Sequence, residues 1–90
     1  MLEYRAAYFK SEGWYIVELV DFPGVVSQGK TLSSARMMIR DALKLMAEYL
    51  VEAGKPLPRP NRRAKPTMGA KPVYVEYVPL MTRFKTPVGK

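Results

Sequence analysis

Cysteine and histidine are both absent from these 90 residues, and tryptophan occurs once. Without cysteine there is neither a disulfide framework nor a thiolate metal site. Without histidine the usual proton shuttle near neutral pH is missing, so general acid–base work would fall to carboxylates, lysine or tyrosine. No stretch approaches the roughly 18 consecutive apolar residues of a membrane-spanning helix. The opening Met1-Leu2-Glu3-Tyr4-Arg5 lacks an apolar signal core, so a soluble, cytoplasmic protein with no membrane contact is expected.

What is present is ordinary for a globular chain: 48% hydrophobic and 26% charged residues. At this length a single domain buries only roughly 60% of its unfolded surface. The core is thin, and a homo-oligomer, dimer or tetramer, is expected. The formal charge of +7 is unevenly spread. Residues 1–52 carry six Lys/Arg against seven acids, a net of −1, and residues 53–90 carry nine against Glu76 alone, a net of +8. The whole basic excess lies in the last 38 positions.

The hydropathy pattern predicts the order β-β-β-α-loop-β. Residues 2–9 alternate, with Leu2, Tyr4, Ala6 and Tyr8 on one face, and Ser11-Glu12-Gly13 reads as a hairpin loop. Trp14–Val20 is a second strand, rich in aromatic and β-branched side chains. In Asp21-Phe22-Pro23-Gly24, Pro23 fixes φ at the first central position of a type II turn and Gly24 accepts the positive φ at the next. A short strand follows at Val25–Gln28, closed by Gly29.

Thr31 is placed to cap a helix, although Ser34 is not the Glu or Gln of a full capping box. Leu32, Ala35, Ile39, Ala42, Met46, Tyr49 or Leu50, and Ala53 then recur at steps of three and four, an amphipathic stripe. Gly54 is expected at its C-terminal cap and Pro56 cannot extend it. Residues 55–72 hold five prolines and six basic residues, which excludes regular helix or central strand. Val73–Val78 alternates again as a fourth strand, and Pro79 restricts it to an edge. The expected architecture is α+β: a two-layer sandwich, mostly antiparallel, with the helix across one sheet face. Should strand four join strand one in parallel, the crossover would be right-handed.

Tyr15, Val17 and Leu19 oppose Trp14, Ile16 and Val20 in the second strand, so both its faces are apolar except at Glu18. One helix covers one face only, and burial of the other against a further subunit is expected. Tyr15, Val17, Leu19, Tyr74 and Tyr77 are the candidates for that interface.

The run from Trp14 to Leu32 resembles the HicB family of bacterial antitoxins. It contains a strand, an Asp-Phe-Pro-Gly turn (Asp21–Gly24), a short strand ending in Gln28-Gly29, and a Thr31-Leu32 helix start. Ala42-Leu43, Glu48-Tyr49-Leu50, Gly54 and Pro56-Leu57-Pro58 continue the resemblance, which covers about Tyr4 to Pro60. Val20 stands where a proline often precedes the Asp, Val25 where a cysteine is common, and Ser33-Ser34 replace a frequent acidic pair. Beyond Pro60 no ribbon-helix-helix or helix-turn-helix segment is visible. The resemblance implies a partial RNase H-like fold; read together with the hydropathy pattern, the chain divides into residues 1–54 as the HicB-like β-β-β-α core, 55–72 as a basic Pro-rich loop, 73–80 as the fourth strand completing the same single domain and 81–90 as a flexible tail. It also implies a role: sterically inhibiting a small HicA-type mRNA-cleaving toxin by covering its catalytic histidine and RNA surface.

A metal-dependent nuclease needs several acids converging on metal ions. Here Glu3, Glu18, Asp21, Asp41, Glu48 and Glu52 are scattered over strands, turn and helix, and Asp21 is expected to bond its own turn backbone. No catalytic residue, metal site or cofactor is assigned, and a non-enzymatic binding module is expected. Arg59, Arg62, Arg63, Lys65 and Lys71 are candidates for contact with nucleic-acid phosphates or an acidic partner, the alternative being a solvated linker. A second reading of the whole is thus an orphan nucleic-acid-binding or transcription-regulating module acting through the basic segment.

Overall fold

The computed structural model describes residues 2–81. The elements are β1 (Glu3–Ser11), β2 (Trp14–Leu19), β3 (Val26–Gly29), α1 (Leu32–Glu52) and β4 (Tyr74–Pro79). They form one four-stranded sheet in the order β3-β2-β1-β4, antiparallel at every pairing. The β-β-β-α-β order is the one the hydropathy pattern predicts. Residues 82–90, where most of the expected tail falls, lie outside the described residues.

Local chemistry accounts for the turns. Glu12 and Gly13 both take positive φ (48° and 84°), the signature of a tight two-residue hairpin that sets Ser11 opposite Trp14. Gly24 has φ 87°, and Val25 N–H donates to the Phe22 carbonyl, so Pro23 and Gly24 occupy the two central positions of the turn. Gly29 is required for a different reason: a Cβ there would run into Ser34 Oγ and the Ala35 nitrogen. The end of β3 passes that close to the start of α1.

The helix start corrects the expectation of an incomplete cap. Ser34 N–H donates to Thr31 Oγ1 and Thr31 N–H donates to Ser34 Oγ, each at 3.0 Å, so a serine closes the capping box where Glu or Gln is usual. At the far end Gly54, with φ 71°, follows the cap residue Ala53. Gly54 N–H bonds the Val51 carbonyl and Lys55 N–H the Leu50 carbonyl, a Schellman closure.

The buried helix stripe is Ala35, Ile39, Leu43 and Ala47, rotated from the predicted one. Leu32, Ala42, Met46 and Leu50 pack at its margin, and Tyr49 is exposed. Opposite the stripe lie Tyr4, Ala6 and Tyr8 of β1, Val17 and Leu19 of β2, and Val78 of β4, with Phe22 and Val25 from the turn closing the core. The Tyr4 and Phe22 rings meet edge-to-face, 5.0 Å between centroids.

β4 runs antiparallel to β1, with Tyr8 opposite Tyr74 and Tyr4 opposite Val78, so the parallel case and its right-handed crossover do not arise. The helix delivers the chain to the end of the sheet where β1 begins, since the Tyr4 hydroxyl donates to the Pro58 carbonyl at 2.6 Å. The Pro-rich segment then climbs the sheet on the face away from the helix, and Val73 N–H reaches the Tyr8 carbonyl at 2.8 Å. That extra traverse returns the chain to the far end, so β4 must descend. The same traverse covers part of the face expected to need another subunit. Val17 and Leu19, candidates for that interface, are instead buried beneath the helix at 0% and 2% exposure, and Tyr15 packs beside them.

Candidate functional site

Two surfaces carry chemistry: the strapped sheet face, and a groove between β3 and α1.

On the first, three residues grip the segment 61–68. Glu18 points from β2 away from the helix, is 4% exposed, and lies beside Ala7 across the pairing. Its Oε1 accepts the Thr67 and Met68 N–H groups at 2.9 and 3.2 Å, and its Oε2 accepts the Thr67 hydroxyl at 2.9 Å. Asp21 Oδ1 accepts Arg5 N–H at 2.9 Å and Oδ2 accepts Asn61 N–H at 3.1 Å. Asp21 therefore joins β1 to the strap, in place of the expected bond to its own turn. Arg5 Nη2 donates to the Asn61 and Ala64 carbonyls at 2.8 and 2.9 Å. Those two carbonyls are the ends of a turn that Ala64 N–H to Asn61 O closes and that Asn61 Oδ1 braces through Arg63 N–H.

Arg62 and Arg63 form the tip of this turn. They, Arg59, Lys65 and Lys71 are all exposed. Arg59, Arg62, Arg63 and Lys65 thus fall on one short stretch of the strap around this turn, the basic ridge, and Lys71 lies further along toward β4. Tyr77 stands cross-strand from Arg5 at the margin of the ridge and is 58% exposed.

A third carboxylate locks β4 to the helix. Glu76 Oε2 accepts the Tyr8 hydroxyl at 2.6 Å, and Arg36 Nε pairs with it at 3.1 Å. Partial burial pushes the Glu76 carboxyl up, but the Tyr8 hydrogen bond and the Arg36 guanidinium outweigh it and hold the group below its ordinary value. Burial, then the bond to Glu76, raises the Tyr8 phenol well above the usual tyrosine range. Arg36 also lies over the Tyr74 ring, 5.2 Å from its centroid. Tyr74 is thereby tied to the helix side, and only Tyr77 of the two β4 tyrosines faces the strap side.

The second surface lies beside the β3 edge. Gly24, Val25, Val26, Ala42, Leu45, Met46 and Tyr49 line a groove of about 500 Å³. Val26, Leu45 and Tyr49 are more than half exposed, unusual for large apolar side chains that lie together. Asp41 and Glu52 on the same helix are exposed, and Glu48 is half-buried. The spacing of Met38, Leu45 and Tyr49 carries the signal of this second stripe, which lies outside the core stripe. Among the described residues no group of three acids is close enough to hold a metal ion.

Comparison with known proteins agrees with this geometry. The family described as HicB-like antitoxin of bacterial toxin–antitoxin systems matches residues 6–86. UPF0150 protein Ta0767 of Thermoplasma acidophilum is 33% identical over 61 residues, 67% of this chain and 88% of that protein. The N-terminal domain of Burkholderia pseudomallei antitoxin HicB superposes with a TM-score of 0.69 at 27% identity, over 90% of this chain and all of that one. The antitoxin HicB structure from the same organism gives 0.58 at 36% identity, over 63% of this chain and 44% of that one. A chain of a HicA3–HicB3 toxin–antitoxin complex shares the fold, with a TM-score of 0.60 at 24% identity, over 68% of this chain and 71% of that one.

Proposed function

The chain belongs to the HicB-like antitoxin family of bacterial toxin–antitoxin systems, and from that membership we propose that it binds a small HicA-type mRNA-cleaving toxin and inhibits it by occlusion. The single observation that carries the reading is the family match across residues 6–86, which includes the strap and β4 as well as the β-β-β-α core. Occlusion needs a docking surface and no catalysis, and the chain works in the cytoplasm, where mRNA is.

The toxin docks on the β3–α1 groove. A protein that binds RNA presents a basic face, and an inhibitor of that face needs apolar anchors with an acidic rim. Glu18 and Asp21 are spent on the strap and Glu76 on Tyr8 and Arg36, and the acids on the helix that supplies Leu45 and Tyr49 are Asp41, Glu48 and Glu52, which would form that rim. A dimer or tetramer of the antitoxin belongs to the same proposal and is checked by light scattering.

The test is co-expression with the toxin encoded beside this gene. A stable complex on co-purification and rescue of growth are expected. A toxin that stays free and lethal overturns the reading.

A further inference from the structure

The basic ridge is not needed by a toxin seated on the β3–α1 groove, and it is built more rigidly than a linker requires. A solvated linker has no use for buried anchors, yet Glu18, Asp21, Arg5 and Tyr4 together hold it at Pro58, Asn61, Ala64, Thr67 and Met68. Every polar anchor takes hold of backbone groups or of the Thr67 hydroxyl. Among the described residues none engages Arg59, Arg62, Arg63 or Lys65, whose side chains are exposed without an ion pair. Fixed backbone with unengaged cations is preorganisation for an anionic ligand, because little ordering entropy remains to be lost on binding.

The geometry points to a single-stranded nucleic acid as that ligand, and we propose that the ridge is a binding site for one. The four cations fall within seven positions of proline-stiffened chain, a span of at most roughly 20 Å. Phosphates of one strand fit within such a span around the turn, and phosphate contact needs no sequence-specific partner. An acidic protein face would satisfy the charges equally but would not use Tyr77. That ring is 58% exposed beside Arg5, the residue that grips the turn carrying Arg62 and Arg63. An aromatic face next to a row of cations is the arrangement on which single-stranded bases stack. A duplex keeps its bases stacked inside and offers Tyr77 nothing.

Fluorescence anisotropy on the purified chain alone tests this, with labelled single-stranded RNA and DNA 20-mers, the matching duplex, and poly-glutamate. Toxin is absent, so the result stands apart from the antitoxin reading. Single strands are expected to bind, with a log–log salt slope near −3, about −0.7 for each of four phosphate contacts. The variant R59A/R62A/R63A/K65A should lose nearly all of that slope and bind at least tenfold more weakly. Tyr77→Ala should weaken single-strand binding by about tenfold and leave duplex binding unchanged. Circular dichroism and light scattering on both variants separate these losses from changes of fold or assembly. Unchanged affinity in the quadruple variant, a Tyr77→Ala variant that loses assembly but no nucleic-acid affinity, or poly-glutamate binding as tightly as the single strands would each overturn the proposal.

Discussion

Glu18 and Thr67, 49 residues apart in sequence, meet in a two-point clasp: Oε1 accepts the Thr67 N–H and Oε2 its hydroxyl, both at 2.9 Å. Hydrogen bonds to an ionised acceptor are worth roughly 1.5–3 kcal/mol where neutral ones give about 1. Glu18→Ala should therefore lower unfolding free energy by about 2–3 kcal/mol, less than the sum of its bonds because the freed strap amides can turn to water. Native-state hydrogen exchange provides the sharper check. The Thr67 and Met68 amides should lose protection while the β1–β2 ladder keeps it, and equal loss throughout would show that the strap has no separate opening.

The Glu76 lock predicts a pH dependence of definite sign. In the folded chain its carboxyl lies below the ordinary value of 4.5, so on acidification the unfolded chain takes up the proton first. Its contribution is complete above that value and is lost as pH falls through the folded one. Urea titrations of the parent and Glu76→Gln between pH 7 and pH 3 should differ by about 1–2 kcal/mol at neutral pH. The gap should close toward pH 3. A gap that stays constant would mean that Glu76 acts through shape and not through charge.

Gly29→Ala tests the approach of β3 to α1. The added methyl meets the Ala35 backbone nitrogen, which cannot move without shifting the capped first turn of the helix. A cost of about 2 kcal/mol is expected, or a fall in Tm of roughly 10 °C for a domain of this size. Gly69→Ala, where a Cβ meets nothing, is the control and should change Tm little.

These positions also show which parts of the fold were legible in sequence. The Asp21–Gly24 turn, the helix limits and the strand alternation depend on neighbours within a few residues, and each stands within a residue or two of its predicted place. The strap could not be read that way, because its anchors pair across 49, 40 and 56 positions. The one local hint was Glu18, the sole charge in an apolar strand; a lone buried carboxylate must find donors, and the basic segment supplied backbone ones. The helix rotation was missed for another reason. Leu43, Leu45, Met46 and Ala47 make that stretch apolar around most of its circumference, so period alone does not say which residues face the sheet. Leu45 and Tyr49 went unnoticed as surface for the same reason.

The groove itself is tested by Leu45→Lys combined with Tyr49→Ala. Both side chains are largely exposed, at 67% and 59%, and neither belongs to the core, so stability should change by no more than about 0.5 kcal/mol. Against a basic toxin face the new lysine removes an apolar anchor and adds a like charge, and truncation of Tyr49 empties the other anchor. Affinity measured by calorimetry should fall by at least thirtyfold, the scale of a lost hot spot of about 2 kcal/mol. The quadruple ridge variant serves as the counterpart, since it should keep toxin affinity while losing its hold on single strands. If the groove variant binds toxin as the parent does and the ridge variant does not, the two surfaces have been assigned the wrong way round, and the acidic helix face is no part of the inhibitory contact.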